Sequence, residues 1–236
     1  MKFSGIILLL AALLTFSFSS NIQSDSDDCN TYFPISVGMQ WTMESKDKKG
    51  KLVGSSTIKV LDAKPAEGGL KYVMQGLFAA EGKEDETHET NFEYQCVNDV
   101  LKFNMDNLLP AEMMENKSMS FTMESDGMEI PNNLGAGQKL NDAKMHVVGM
   151  IETMKVIDMT MVVSDRKVEI LEDVTTKAGT FSCAKITSKT NINMGFINQT
   201  TSSIQWISKK VGVVKTEEYD KKGKFDGSTE LVEFKR

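Results

Sequence analysis

Val156-Ile157-Asp158-Met159-Thr160-Met161-Val162-Val163 reads as a β-strand. Ile157, Met159, Met161 and Val163 recur at every second position, with Val156, Asp158, Thr160 and Val162 between them. A period of two matches side chains that alternate across a pleated sheet and does not match the 3.6-residue turn of a helix. Ser118-Met119-Ser120-Phe121-Thr122-Met123 repeats the pattern with polar and apolar positions cleanly separated. Further runs of this kind lie at 39–45, 51–60, 70–79, 88–96, 99–103, 145–150, 166–172, 180–190, 199–208, 211–219 and 228–234. Roughly a dozen strands with turn signals between them predict an all-β protein, an antiparallel barrel, half-barrel or sandwich.

Helical signals are few. Asp106-Asn107-Leu108-Leu109-Pro110-Ala111-Glu112-Met113-Met114-Glu115 predicts one or two short helical turns, since proline and acidic residues suit a helix start. Pro131 to Gly137 is a loop by composition, and its Gly135-x-Gly137 lacks the third glycine and the strand-to-helix context of a phosphate cradle. One short stretch occurs twice: Asp47-Lys48-Lys49-Gly50-Lys51 and Asp220-Lys221-Lys222-Gly223-Lys224. Each copy sits between two strand-like runs, so the two read as similar solvated hairpins, with a shared interaction tip as the sharper alternative.

The chain has 236 residues, 40% hydrophobic and 25% charged, with a net charge of −6. That balance describes a globular chain with no basic excess for phosphate neutralisation, so nucleic acid is not an expected partner. Residues 1–19 read as a secretory signal peptide: Lys2 precedes the apolar run Ile6 to Leu14, and small residues at Ser17 and Ser19 place the cut after Ser19, or after Ser20. The apolar run is short for the roughly 30 Å of a bilayer core, so no stable membrane span is expected in the mature chain. Residues 20–28 form a polar linker, and 29–236 one domain. Export would place the protein in the periplasm, at the cell surface or outside the cell.

Three cysteines survive such processing, Cys29, Cys96 and Cys183, and an oxidising compartment lets one pair close. Spacing does not choose among the three pairings. A Cys29–Cys96 disulfide is preferred, because it would tether the head of the domain, whereas Cys183 sits in an apolar strand pattern where a free thiol behaves as a small hydrophobe.

Cys29-x-x-Tyr32-Phe33-Pro34-x-x-x-Gly38-x-x-Trp41, Lys177-Ala178-Gly179-Thr180-Phe181-Ser182-Cys183-x-Lys185-Ile186, and Trp206-Ile207 leading to Val211-Gly212-Val213-Val214-Lys215 together resemble exported bacterial proteins of the domain-of-unknown-function 3108 group, also called TapB-like. Lys177 stands where the family usually has proline. The resemblance spans nearly all of 29–236 and implies a strongly curved antiparallel sheet or half-barrel, similar to lipoprotein-localisation folds that enclose apolar ligands. It implies no enzyme activity and carries over no catalytic residue.

The residues themselves agree. His88 lies among Glu84, Asp85, Glu86 and Glu89, and His146 between Met145 and Val147; neither belongs to a nucleophile elbow, a zinc motif or a paired-cysteine site. No catalytic residue, metal or cofactor is therefore assigned. Ten of the 16 methionines fall between Met113 and Met161. Methionine fills irregular gaps, so Met119, Phe121, Met123, Met159 and Met161, covered by a segment bearing Leu108 and Met113, are the candidate lining of an apolar groove. An ordinary Met-rich core is the plainer reading, and thioether ligation of Cu(I) near Met145-His146 the sharper one. Trp41, Trp206, Tyr32, Phe33, Phe121 and Phe181 read as core or rim. The expected function is non-enzymatic binding of a lipid or other hydrophobic small molecule; an envelope module that contacts another protein is the alternative.

Overall fold

The computed structural model describes residues 32, 36–83, 86–98, 100–105 and 118–236. Thirteen strands account for most of them: β1 (Gln40–Asp47), β2 (Leu52–Ala66), β3 (Gly69–Ala80), β4 (His88–Val97), β5 (Val100–Phe103), β6 (Ser120–Ser125), β7 (Met128–Ile130), β8 (Ala143–Ile151), β9 (Met154–Thr176), β10 (Gly179–Met194), β11 (Ile197–Ser208), β12 (Gly212–Tyr219) and β13 (Phe225–Lys235). They form one antiparallel sheet in the order β6-β8-β9-β10-β11-β12-β13-β1-β2-β3-β4-β5-β7. The first strand pairs with the last, Trp41 opposite Phe234 and Asp47 opposite Gly227.

The edge strands β6 and β7 are consecutive in sequence, separated only by Asp126 and Gly127. Three peptide steps reach at most about 11 Å, so the sheet has to bend until its two edges nearly meet. Asp126 marks the corner, where its amide donates to the Lys144 carbonyl. Gly127 is required there: its φ is +70°, and a Cβ would stand 2.6 Å from the Lys102 side chain. The all-β architecture expected from the alternating pattern, and the half-barrel that the resemblance implies, are thus present as one open and strongly bent sheet.

The runs expected at 156–163 and 166–172 are a single strand, β9. A bulge joins them: Asp165 and Arg166 together oppose Ser188, and Asp165 takes a φ of +53°. Such a bulge lets the strand bend without breaking and turns Arg166 inward. Arg166 is 4% exposed, and its guanidinium donates to the carbonyls of Asn141 (2.7 Å) and Glu129 (3.0 Å) and pins the 131–142 loop against β9. β7, three residues long, is too short to show a period. The helical turns expected within 106–115, the leader and the linker lie outside the described residues.

Apolar side chains gather in two places. The larger core takes Trp41, Val60, Tyr72, Leu101, Val168, Ile186, Ile207, Val214 and Leu231, drawn from most strands of the sheet. The smaller one joins β6, β8 and the first half of β9 around fully buried Met105, Met145 and Val147. The duplicated hairpins close identically. Asp47 Oδ1 accepts the amides of Lys49 and Lys51 at 2.8 and 2.9 Å, and Asp220 Oδ1 accepts those of Lys222 and Lys224 at the same distances.

Candidate functional site: an apolar pocket on β1–β4

Cross-strand register assembles the site. Trp41 and Met43 on β1 lie opposite Ile58 and Ser56 on β2, and Met74 on β3 lies opposite Phe92 on β4. Since residues in register point to the same face, side chains from four strands converge there. With Tyr94, Val213 and Thr229 they line a half-open cavity of about 240 Å³. Its walls are almost wholly apolar, with the Ser56 and Thr229 hydroxyls among the few polar groups.

Three features hold the walls. The Trp41 indole N–H donates to the Val211 carbonyl, and its ring tilts against Phe234 at 5.6 Å between centroids. Tyr94 packs between Phe92 (5.9 Å) and Phe103 (5.2 Å). Gly76 leaves room for the rings: a Cβ there would sit 2.7 Å from Phe78 Cε2 and 3.3 Å from Phe92 Cε1. Burial pushes the Tyr94 phenol up to about 12, so it stays neutral at any physiological pH.

An open depression adjoins the pocket through Ser56 and Thr229. It runs past Val53, Phe78 and Ala80 to Lys83, Glu86 and His88, where Lys83 pairs with Glu86 at 2.8 Å. The tract therefore passes from an apolar end to a charged one. An apolar chain end with a polar head fits that gradient; none of the pocket's own residues offers a nucleophile with a base beside it.

The methionines expected to line a groove form the second core. Met123, Met159 and Met161, with Phe121, pack against buried Met105 and Met145, and Met119 and Phe121 close over Gly149. Met123 also borders a polar cleft between β4–β5 and β6–β7, shared with Gln95, Lys102, Asn104, Ser125 and Gly127. None of these five residues lines the apolar pocket, and Leu108 and Met113 lie outside the described residues. Met145 is buried and its strand neighbour His146 is partly exposed, with Nε2 2.9 Å from Asp158 Oδ1, so the two side chains do not face one ligand site. Among the described residues no group of three His, Cys, Asp or Glu side chains is placed to hold a metal. No helix among them is long and apolar enough to cross a membrane. Cys183 is a free, buried thiol and Cys96 is buried on β4; Cys29 lies outside the described residues.

Among the pocket residues, sequence singles out Trp41, as core or rim, and Val213 as part of a family motif. Met43, Ile58, Met74, Phe92 and Tyr94 carry only the alternation common to every strand, and their convergence is a property of register.

Fold and pocket together define an all-β protein built as a single bent antiparallel sheet with an apolar recess in its main core. The chain belongs to the DUF3108-like family, whose model matches residues 36–231. No curated protein matches it. Two solved structures are similar over 88% of this chain and the whole of their own, each at 23% identity. One, with a TM-score of 0.66, is a protein of YmcC-like fold from Bacteroides fragilis NCTC 9343, described as exported. The other, with a TM-score of 0.67, is a protein from Parabacteroides distasonis ATCC 8503, described as a lipoprotein.

Proposed function

We propose that this is an exported, non-enzymatic binding protein that holds the apolar end of a lipid or other hydrophobic molecule in the Trp41–Tyr94 pocket. The observation that carries the reading is the pocket itself: an apolar recess with pinned walls that opens toward a polar rim. Its volume of about 240 Å³ lies below the roughly 300–1,000 Å³ of sites that engulf a drug-sized ligand. The guest is thus a single acyl chain or small ring system inserted end first, with its head toward Lys83, Glu86 and His88. The N-terminal leader pattern and the descriptions of the two similar structures support residence in the envelope or outside the cell. Retention of the Met-rich second core as packing leaves the binding role to the main core.

Native mass spectrometry of detergent-free protein, compared with its denatured mass, tests the reading. An excess of a few hundred daltons, extractable into organic solvent, is the expected result. Equal masses together with no uptake of a fluorescent fatty acid would remove the carrier reading.

A second reading rests on a different observation. Because β13 pairs with β1 and Asp47 lies opposite Gly227, the two Asp-Lys-Lys-Gly-Lys turns stand side by side. Six lysines on adjacent tips of an acidic protein suit an acidic partner in the envelope. A pull-down from envelope extract that is unchanged when Lys48, Lys49, Lys221 and Lys222 are replaced by Ser would remove this reading.

A further inference from the structure

Phe196 is 99% exposed. It forms, with Gly195 at φ +65°, the apex of the β10–β11 hairpin, where Met194 pairs with Ile197. Met194 and Ile197 are themselves 43% and 47% exposed. On the other side of β10, Met194 lies opposite Met159 of β9, so the neighbouring β8–β9 turn projects from the same end of the sheet. That turn exposes Ile151, Met154 and Val156. These two apices hold six of the twelve large apolar side chains exposed among the described residues.

The charge pattern separates the possible occupants. In a chain that is one-quarter charged, the ten residues Asn191 to Thr200 contain no charged side chain. Behind the apex stand Asn191, Asn198 and Thr200, braced by bonds of 2.9 Å from Asn191 Nδ2 to Asn198 Oδ1 and Thr200 Oγ1. The β8–β9 turn does carry charge: Glu152 at its tip and, just behind, Lys155 paired with Asp158, which also meets His146 of β8. The arrangement is an apolar prong above a neutral amide and hydroxyl collar. A fluid acyl layer can close around an exposed apolar apex whose strands carry no charge, and the collar behind Phe196 then falls at headgroup depth.

We infer that the β8–β9 and β10–β11 apices dock on a lipid bilayer surface, with Phe196 as the side chain that the β10–β11 apex inserts. Binding of this kind draws on apolar burial and not on phosphate neutralisation, so it takes place on zwitterionic lipid and persists when salt is raised. The site is separate from the Trp41–Tyr94 pocket, and its failure would leave the ligand-binding reading intact.

The test uses phosphatidylcholine vesicles and protein produced by export from the full-length gene, so any retained N-terminal segment is common to all variants. The wild type floats with the vesicles, at low and high salt alike. Combined M194S, F196S and I197S substitutions lower the bound fraction about ten-fold or more, the effect of withdrawing the burial of several apolar side chains. Circular dichroism and urea midpoints match the wild type, since these side chains are exposed in the folded protein. In the single variant F196W, brominated acyl chains quench the added indole emission while Trp41 and Trp206 stay dark to the quencher. Absence of that quenching overturns the inference. So does a stable wild-type dimer that the triple substitution dissolves, because the apices would then cover each other.

Discussion

The indole N–H of Trp41 donates to the carbonyl of Val211, across 170 residues of chain. One wall of the pocket is thereby fixed to the β11–β12 turn before any ligand arrives. Replacing Trp41 with Phe keeps most of the apolar body but leaves the carbonyl short of its donor, at a cost of about 1–3 kcal/mol. Trp41→Ala also opens a cavity in the core and costs about 3–5 kcal/mol. Urea denaturation of the two variants gives the order wild type, Phe, Ala.

Gly76 controls pocket shape. In Gly76→Val the new side chain collides with the Phe78 and Phe92 rings, whose nearest atoms lie 2.7 and 3.3 Å from the Cβ position. The rings move into the recess, and uptake of a fluorescent fatty acid falls about ten-fold, the scale of roughly 1.4 kcal/mol. Wild-type uptake in this variant would show that the guest binds elsewhere.

Arg166 is a buried cation whose partners are carbonyl oxygens. Burial pulls its pKa down, and nearby Asp142 and Glu129 offset this in part, so the group stays charged. Arg166→Met removes two hydrogen bonds and strands the Asn141 and Glu129 carbonyls, with an expected loss of about 2–4 kcal/mol. Limited proteolysis then cuts within 131–142 before the rest of the sheet.

Alkaline stability follows the tyrosines. Tyr94, through burial, and Tyr219, through its hydrogen bond to Glu217, are both raised to about 12 from an ordinary value of 10. A phenol whose pKa is raised by folding contributes its full stability below pH 10 and loses it as pH climbs through 12. A urea midpoint that falls between those limits, and falls less steeply in Tyr94→Phe, is the expected result; an unchanged slope would remove Tyr94 as the cause.

The thiols are expected to divide. Burial, with Asp173 and Glu172 nearby, pushes Cys183 up to about 11, so it resists alkylation in the folded protein. Under denaturing, non-reducing conditions one thiol per chain reacts, and peptide mapping links Cys29 to Cys96. Three reactive thiols per chain would exclude a disulfide.

Sequence by itself determined the strand content. A period of two survives in any register, so the runs at 39–45, 70–79 and 145–150 correspond to β1, β3 and β8, and the turns around Gly50 and Gly223 follow from local hydrogen bonds to Asp47 and Asp220. The family motifs were equally legible, because they are strings of neighbouring residues. Tertiary structure alone decided which alternating face encloses a space. Met159 and Met161 look as suited to a ligand as Met43 and Met74, yet the former pair sits in the second core while the latter borders a recess. The difference lies in what stands across the strands: Trp41, Ile58 and Phe92 reach the pocket from three strands, brought together by the register of their pairings. Alternation records which residues face inward; only the pairing of strands fixes how much volume their side chains leave unfilled.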